Sequence, residues 1–203
     1  MHTQDLCAYF TQYGTPGGRD RAMGELLLLQ LAQREPSARC VFWAHNGHVQ
    51  KSALSYLNSA ELASGGLLRE ALGDAFYSVG FTFGTGTFQA TAQRPPGGHC
   101  FKRYAHTLLV EGSLEWELSG VNPADHFIDL RAAPTDDAVQ QWRTAGHGFR
   151  WWGGYSVPDD VDAATNDLAR LSRMHPLTDF DGLVFLANTT AARPVDPTRI
   201  LEP

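Results

Sequence analysis

Two histidines stand at i and i+3 in the segment Trp43-Ala44-His45-Asn46-Gly47-His48. Imidazole titrates near neutral pH, so each ring can pass a proton to or from a reacting atom, or bind a metal as the neutral base. On a turn this spacing lets both rings converge on one cavity. The bland alternative is an H-x-x-H pair that merely decorates a surface loop. As a metal site the pair supplies two nitrogens, whereas a catalytic zinc takes three protein ligands; the third would come from afar, with Asp129 and His126 as candidates. Arg19-Asp20 reads first as a helix cap beside a surface arginine, and second as an arginine aimed at a carboxylate or a developing oxyanion. Glu25 is either solvated at a helix edge or an acceptor for a histidine's other ring proton. Asp129 lies among apolar neighbours, with Arg131 as its expected salt-bridge partner.

These side chains need elements to position them. Cys40-Val41-Phe42-Trp43-Ala44 is short, continuous and apolar, the pattern of a parallel strand covered on both faces, with Cys40 in the core. It runs straight into His45, and in open α/β sheets ligands gather beyond the carboxyl ends of strands. Upstream, a helix is expected from an Asp20 N-cap to a stop at Pro36, and its four adjacent leucines imply burial on more than one side. Downstream, Leu67–Leu72 reads as a helix stopped by Gly73, and Phe76–Phe83 as a strand, which completes a βαβ unit. Past Gly84-Thr85-Gly86, Thr87–Thr91 continues the sheet or folds back as a hairpin. Residues 93–104 contain Pro95-Pro96-Gly97-Gly98 and read as a loop. Phe127–Leu130 and Asp181–Ala187 are strands. Asp136–Arg143 and Ala163–Met174 are helices, the second ended by Pro176. Trp142, Phe149, Trp151, Trp152 and Tyr155 form an aromatic cluster, either core or the wall of an apolar cleft. The fold class expected is α/β, a mostly parallel sheet flanked by helices.

The chain has 203 residues, 43% of them apolar, with 19% charged and a formal net charge of −6. That composition is globular, and the length and lack of a linker predict a single domain over 1–203, with a loose tail at 193–203. The acidic balance argues against a nucleic-acid partner. No apolar run is long enough to span a membrane, and no signal peptide is visible. Cys7, Cys40 and Cys100 make neither a disulfide framework nor a C-x-x-C zinc site, so reduced thiols in the cytoplasm are expected. G-x-S-x-G, Walker A and the full G-x-G-x-x-G are all missing, which leaves water, activated by a histidine or a carboxylate, as the expected nucleophile. No cofactor is expected.

The chain also resembles a known family. Arg19-Asp20-Arg21-Ala22-Met23, then Val41 to Val49, then Gly66 to Gly73, then Val79 to Phe88 occur in the order seen in the erythromycin esterase family. Phe127–Arg131 and Asp181–Phe185 look like its C-terminal strands. The resemblance implies hydrolysis of a carboxylic ester by histidine-assisted attack of water, with macrolide lactone opening, and hence macrolide resistance, in the best-known members. It implies that His45 and His48 are the active-site pair, with Asn46 between them as in relatives; Asn46 and, from the reading of its own position, Arg19 are the expected substrate-binding residues. There are two departures. Leu26 stands where the family has asparagine, and the family's N-terminal half is missing, with its G-E-x-x-H-G histidine, the proposed general base. His2, His99, His106, His126, His147 and His175 lie in no such context. The resemblance therefore implies a C-terminal half with little or no activity alone. The alternatives are a non-catalytic subunit that needs a partner chain or self-associates, and a metal hydrolase built on His45 and His48.

Overall fold

The structure is a computed structural model that describes residues 17–53, 60–91, 101–151, 161–164, 166–168, 171–192 and 200–201. In chain order these form α1 (Gly18–Ala32), α2 (Asn46–Val49), α3 (Ser64–Leu72), β1 (Val79–Thr91), β2 (Phe101–His106), α4 (Leu114–Ser119), β3 (His126–Asp129), α5 (Asp137–Thr144), β4 (His147–Phe149), α6 (Val161–Ala164), β5 (Ser172–Met174), α7 (Pro176–Asp179), β6 (Gly182–Thr189) and β7 (Ile200–Leu201). The strands make a five-stranded sheet of order β3-β6-β1-β2-β7 and a two-stranded sheet of β4 and β5. From β2 to β6 strands and helices alternate, in keeping with an α/β fold. Contacts group the described residues into two compact units, one within 1–80, 129–145 and 175–183, the other within 81–128, 146–174 and 184–203. Each unit draws on three stretches of chain, so no linker marks a boundary in the sequence.

In the first unit α1 is capped by Gly17, not by Asp20: Gly17 takes φ 71°, a left-handed conformation that costs glycine nothing. Asp20 thereby moves inside the first turn, where its side chain is turned to other work. The buried residues of α1 are Gly18, Asp20, Ala22 and Gly24. They form two i,i+4 pairs, Gly18/Ala22 and Asp20/Gly24, on different sides of the helix, and a Cβ at Gly24 would meet Leu67 of α3 at 3.1 Å. The leucines are not buried on several sides as expected; Leu29 is exposed. The helix ends at Ala32, short of Pro36.

The segment Cys40–Ala44 is a correction. It joins no strand ladder; Val41 is 87% and Trp43 80% exposed, and Cys40 is an exposed free thiol rather than a core residue. An apolar run becomes a strand only where another backbone offers hydrogen-bond partners, and none pairs with it among the described residues. The first strand of the expected βαβ unit is therefore not formed. α3, by contrast, stops where predicted, at Gly73 with φ 55°, and the helix expected over Asp136–Arg143 is α5, with Asp136 as its N-cap accepting the Val139 N–H at 3.1 Å.

In the second unit β1 runs straight through Gly84-Thr85-Gly86 and does not turn there. The glycines are needed for close approach: a Cβ at Gly86 would lie 2.1 Å from the Thr189 carbonyl oxygen, and Gly86 holds φ 127°. β1 pairs antiparallel with β2, Gly86 opposite His106 and Thr91 opposite Phe101. Residues 101–104 are thus strand and not loop, while the Pro95-Pro96 stretch lies outside the described residues. β7 pairs parallel with β2, Phe101 opposite Ile200, so two residues of the expected loose tail are held in the sheet. Residues 172–174 are strand β5, paired antiparallel with β4, where a continuous helix was expected. Pro176 opens α7 at its N-terminus instead of closing a helix, a position where its missing N–H costs nothing. Ala90, Tyr104 and Val161 form a buried cluster with Phe88 packed against it, and Phe88 and Tyr104 stack at 5.6 Å.

Candidate functional site

The site is built on α2, a single turn of helix in the first unit. His45 is its N-cap, and its Nδ1 accepts the Gly47 N–H at 3.1 Å. One turn later His48 lies beside it, with ring centroids 6.5 Å apart and the planes at 76°. His48 Nδ1 is 2.8 Å from Asp20 Oδ1. Asp20 is 4% exposed and takes two further bonds from Ser64, whose N–H and Oγ each lie 3.1 Å from Oδ1. Burial alone would raise the Asp20 carboxyl. The hydrogen bond and charge of His48 and the bonds from Ser64 outweigh it and hold the group below the usual carboxylate range. Ser64 reaches Asp20 because α3 comes close to the turn, and Gly65 permits that: a Cβ there would lie 2.1 Å from the Val49 carbonyl oxygen.

The chain after His48 is tied down. Ser78 Oγ donates to the Val49 carbonyl at 2.6 Å, and the Lys51 N–H donates to the Asp179 carbonyl at 2.8 Å. Lys51 Nζ and Arg131 Nε both reach Asp181 Oδ1, at 2.7 and 2.8 Å, and the Ser78 N–H donates to Asp181 Oδ2 at 2.8 Å. Burial alone would raise Asp181, and these three partners hold it low instead.

Of the residues singled out from the sequence, His45 and His48 are brought together. Asn46 is the first residue of α2, and its carbonyl accepts the Gln50 N–H at 2.9 Å. Arg19 is exposed; its neighbour Asp20 makes the contact to the histidine. Glu25 is exposed too, so the carboxylate that takes an imidazole proton is Asp20, in the role imagined for Glu25. Asp129 does not pair with the guanidinium of Arg131. It accepts from the Tyr77 hydroxyl at 3.0 Å and from the backbone N–H groups of Arg131 and Ala132 at 3.0 and 3.2 Å. Burial and Asp129 push the Tyr77 hydroxyl up to about 12. His126 Nδ1 is 3.0 Å from the Pro123 carbonyl oxygen. Among the described residues no group of three or more His, Cys, Asp or Glu is placed to hold a metal ion. Both Nδ1 atoms of the histidine pair are engaged with protein. Phe149 and Trp151 make an edge-on contact at 4.9 Å; Trp152 and Tyr155 lie outside the described residues.

Sequence reading missed Asp20 and Ser64 as partners of the histidine. The one local signal was Gly17-Gly18: a glycine can cap the helix itself and free the following acid for a distant contact.

The second unit holds its own buried polar cluster. His106 is fully buried with Nδ1 2.7 Å from Asp162 Oδ1, and Arg150 Nε lies 3.6 Å from Glu115 Oε1. Burial, and next the charge of Arg150, push His106 down to about 4 against the pull of Asp162. Its folded value is below its unfolded one, so between pH 6.5 and 4 the unfolded chain binds the extra proton and stability falls as the pH drops. The expected loss across that window is about 3 kcal/mol. Urea midpoints at pH 7 and 4.5 check it: wild type should lose stability between them, and His106→Asn should lose much less. Equal losses would place the acid sensitivity elsewhere.

Three comparisons bear on this geometry. A family model described as erythromycin esterase matches residues 5–189. An erythromycin esterase type II from Escherichia coli is 29% identical over 126 residues, which cover 61% of this chain and 30% of that protein. Among solved structures, a Bacillus cereus protein matches with a TM-score of 0.66 and 21% identity, over 89% of this chain and 42% of that one. A succinoglycan biosynthesis protein matches at 0.63 and 17%, over 85% and 38%. A mutant of the erythromycin esterase EreC in its open conformation matches at 0.59 and 15%, over 95% and 43%. The matches span less than half the length of each of these relatives.

Proposed function

The chain belongs to the erythromycin esterase family, and from that premise we propose that it contributes His45 and His48 to the hydrolysis of a carboxylic ester by water, a macrolide lactone being one substrate class. The observation that carries this is the imidazole pair on one helical turn, one ring backed by a buried carboxylate: His48 Nδ1 to Asp20 Oδ1 is 2.8 Å. A histidine oriented by a carboxylate through one nitrogen presents the other to a reactant, the arrangement that recurs wherever imidazole moves protons. Asn46 and Arg19 are the proposed substrate-binding residues. The general base, in this reading, lies outside the chain, and the chain alone turns over little or no ester. Losing a positioned base costs about 10²–10⁴-fold. Its exposed thiol at Cys40 suits a reducing compartment, and we place it in the cytoplasm.

The test is turnover of an activated aryl ester and of a macrolide by the purified chain, alone and mixed with a polypeptide corresponding to the unmatched part of a relative. Activity on mixing that His45→Ala removes supports the reading. Robust activity of the chain alone, unaffected by His45→Ala, overturns it.

A second reading shares the site but gives the chain no catalysis of its own. Val41 and Trp43 are 87% and 80% exposed in a segment of strand-like composition, directly before His45. Backbone and apolar surface of this kind invite another polypeptide to pair and cover it. Size-exclusion chromatography tests this: a well-behaved monomer that a complementing polypeptide does not shift would count against a partner.

A further inference from the structure

The two imidazoles of α2 are not equivalent, and the hydrogen bonds on their inner nitrogens say how they differ. At His45 the partner is a donor: the Gly47 N–H points at Nδ1 from 3.1 Å. A nitrogen that accepts carries no proton, so neutral His45 keeps its proton on Nε2. At His48 the partner is an acceptor: Asp20 Oδ1 lies 2.8 Å from Nδ1. An ionised carboxylate only accepts, so neutral His48 keeps its proton on Nδ1 and leaves the lone pair on Nε2.

We propose that Asp20 is a positioning residue which, together with the Gly47 N–H, locks His45 and His48 in opposite tautomers, so that the site offers a hydrogen-bond donor from one ring and an acceptor from the other. Asp20 is itself held: the Ser64 N–H and Oγ reach its Oδ1 at 3.1 Å each, and Ser64 Oγ is 2.9 Å from its carbonyl oxygen. The role of this polarity rests on the hydrolytic reading above. An ester presents a carbonyl oxygen that needs a donor, and the attacking water presents a hydrogen that needs an acceptor. Two rings in the same tautomer would satisfy only one of these. Opposite tautomers satisfy both from the two ends of one helical turn, with His45 suited to the carbonyl oxygen and His48 to holding the water by one hydrogen while the base outside the chain removes the other.

Imidazole ¹⁵N–¹H correlation spectra of the intact purified chain, recorded at mildly alkaline pH, read the tautomers directly and need no substrate. His45 should show its proton on Nε2 and His48 on Nδ1. Asp20→Asn should remove the preference at His48, since an amide can donate as well as accept, and leave His45 unchanged; Ser64→Ala should weaken the His48 preference in the same direction. Wild-type rings in the same tautomer would overturn the proposal even if neither variant folds. So would a His48 tautomer that Asp20→Asn leaves unmoved. Failure of the hydrolytic reading looks different: the tautomers would stand as described while ester turnover ignored substitution of either histidine.

Discussion

Replacing Asp181 by alanine is expected to cost about 3–5 kcal/mol, enough to unfold a marginal domain. The carboxylate is buried and takes Lys51 Nζ at 2.7 Å, Arg131 Nε at 2.8 Å and the Ser78 N–H at 2.8 Å. Removing it leaves two cations facing each other in a poorly hydrated place, and an uncompensated buried charge is far more costly than a well-made pair is worth. The loss is not shared out easily. Arg131 keeps the Asp74 carbonyl at 3.0 Å, the Phe76 carbonyl and the face of Tyr77 at 4.9 Å. Lys51 keeps the Leu177 carbonyl at 3.0 Å. Asp181→Asn retains the shape and one acceptor oxygen and should cost less. Urea unfolding of the two variants gives the comparison. An alanine variant within about 1 kcal/mol of wild type would mean that Lys51 and Arg131 find other acceptors. Because Lys51 lies in the chain that leads away from His48, the same variant should also blur the site.

What could be read from the sequence, and what could not, divides by the range of the forces involved. The end of α3 at Gly73 and the extent of α5 are set within a few residues, and both were legible. The strand at 182–189 was legible from a run of buried apolar side chains. The β5 strand was not: residues around 163–174 favour helix locally, but the ladder to β4, with Met174 opposite His147, wins. Cys40–Ala44 fails in the opposite sense, because its side chains are those of a strand while among the described residues its backbone joins no strand. The histidine pair was visible because both members share one turn. Its carboxylate was not, since Asp20 is 28 residues away and helix capping already accounted for it. The same nearness misled at Asp129: Arg131 is two residues on, yet its guanidinium bonds Asp181 instead.

His48→Ala should lower ester turnover by about 10²–10⁴-fold, measured on the chain together with the complementing polypeptide or on whatever residual rate the chain has alone. The size follows from what is lost. Alanine removes the ring nitrogen presented to the reactant and also leaves Asp20 buried, with Ser64 as the remaining partner of its Oδ1 among the described residues. The two effects can be separated. His48→Gln keeps a group that can donate to Asp20, so it should recover stability but not rate. A loss of rate that tracks the loss of stability in both variants would make His48 a structural residue. A rate that collapses in both while only the alanine variant is destabilised puts the imidazole itself in the chemistry. His45→Ala supplies the contrast: its Nδ1 caps a single turn by accepting the Gly47 N–H at 3.1 Å, and losing such a cap should cost about 1 kcal/mol of folding while the effect on turnover remains large.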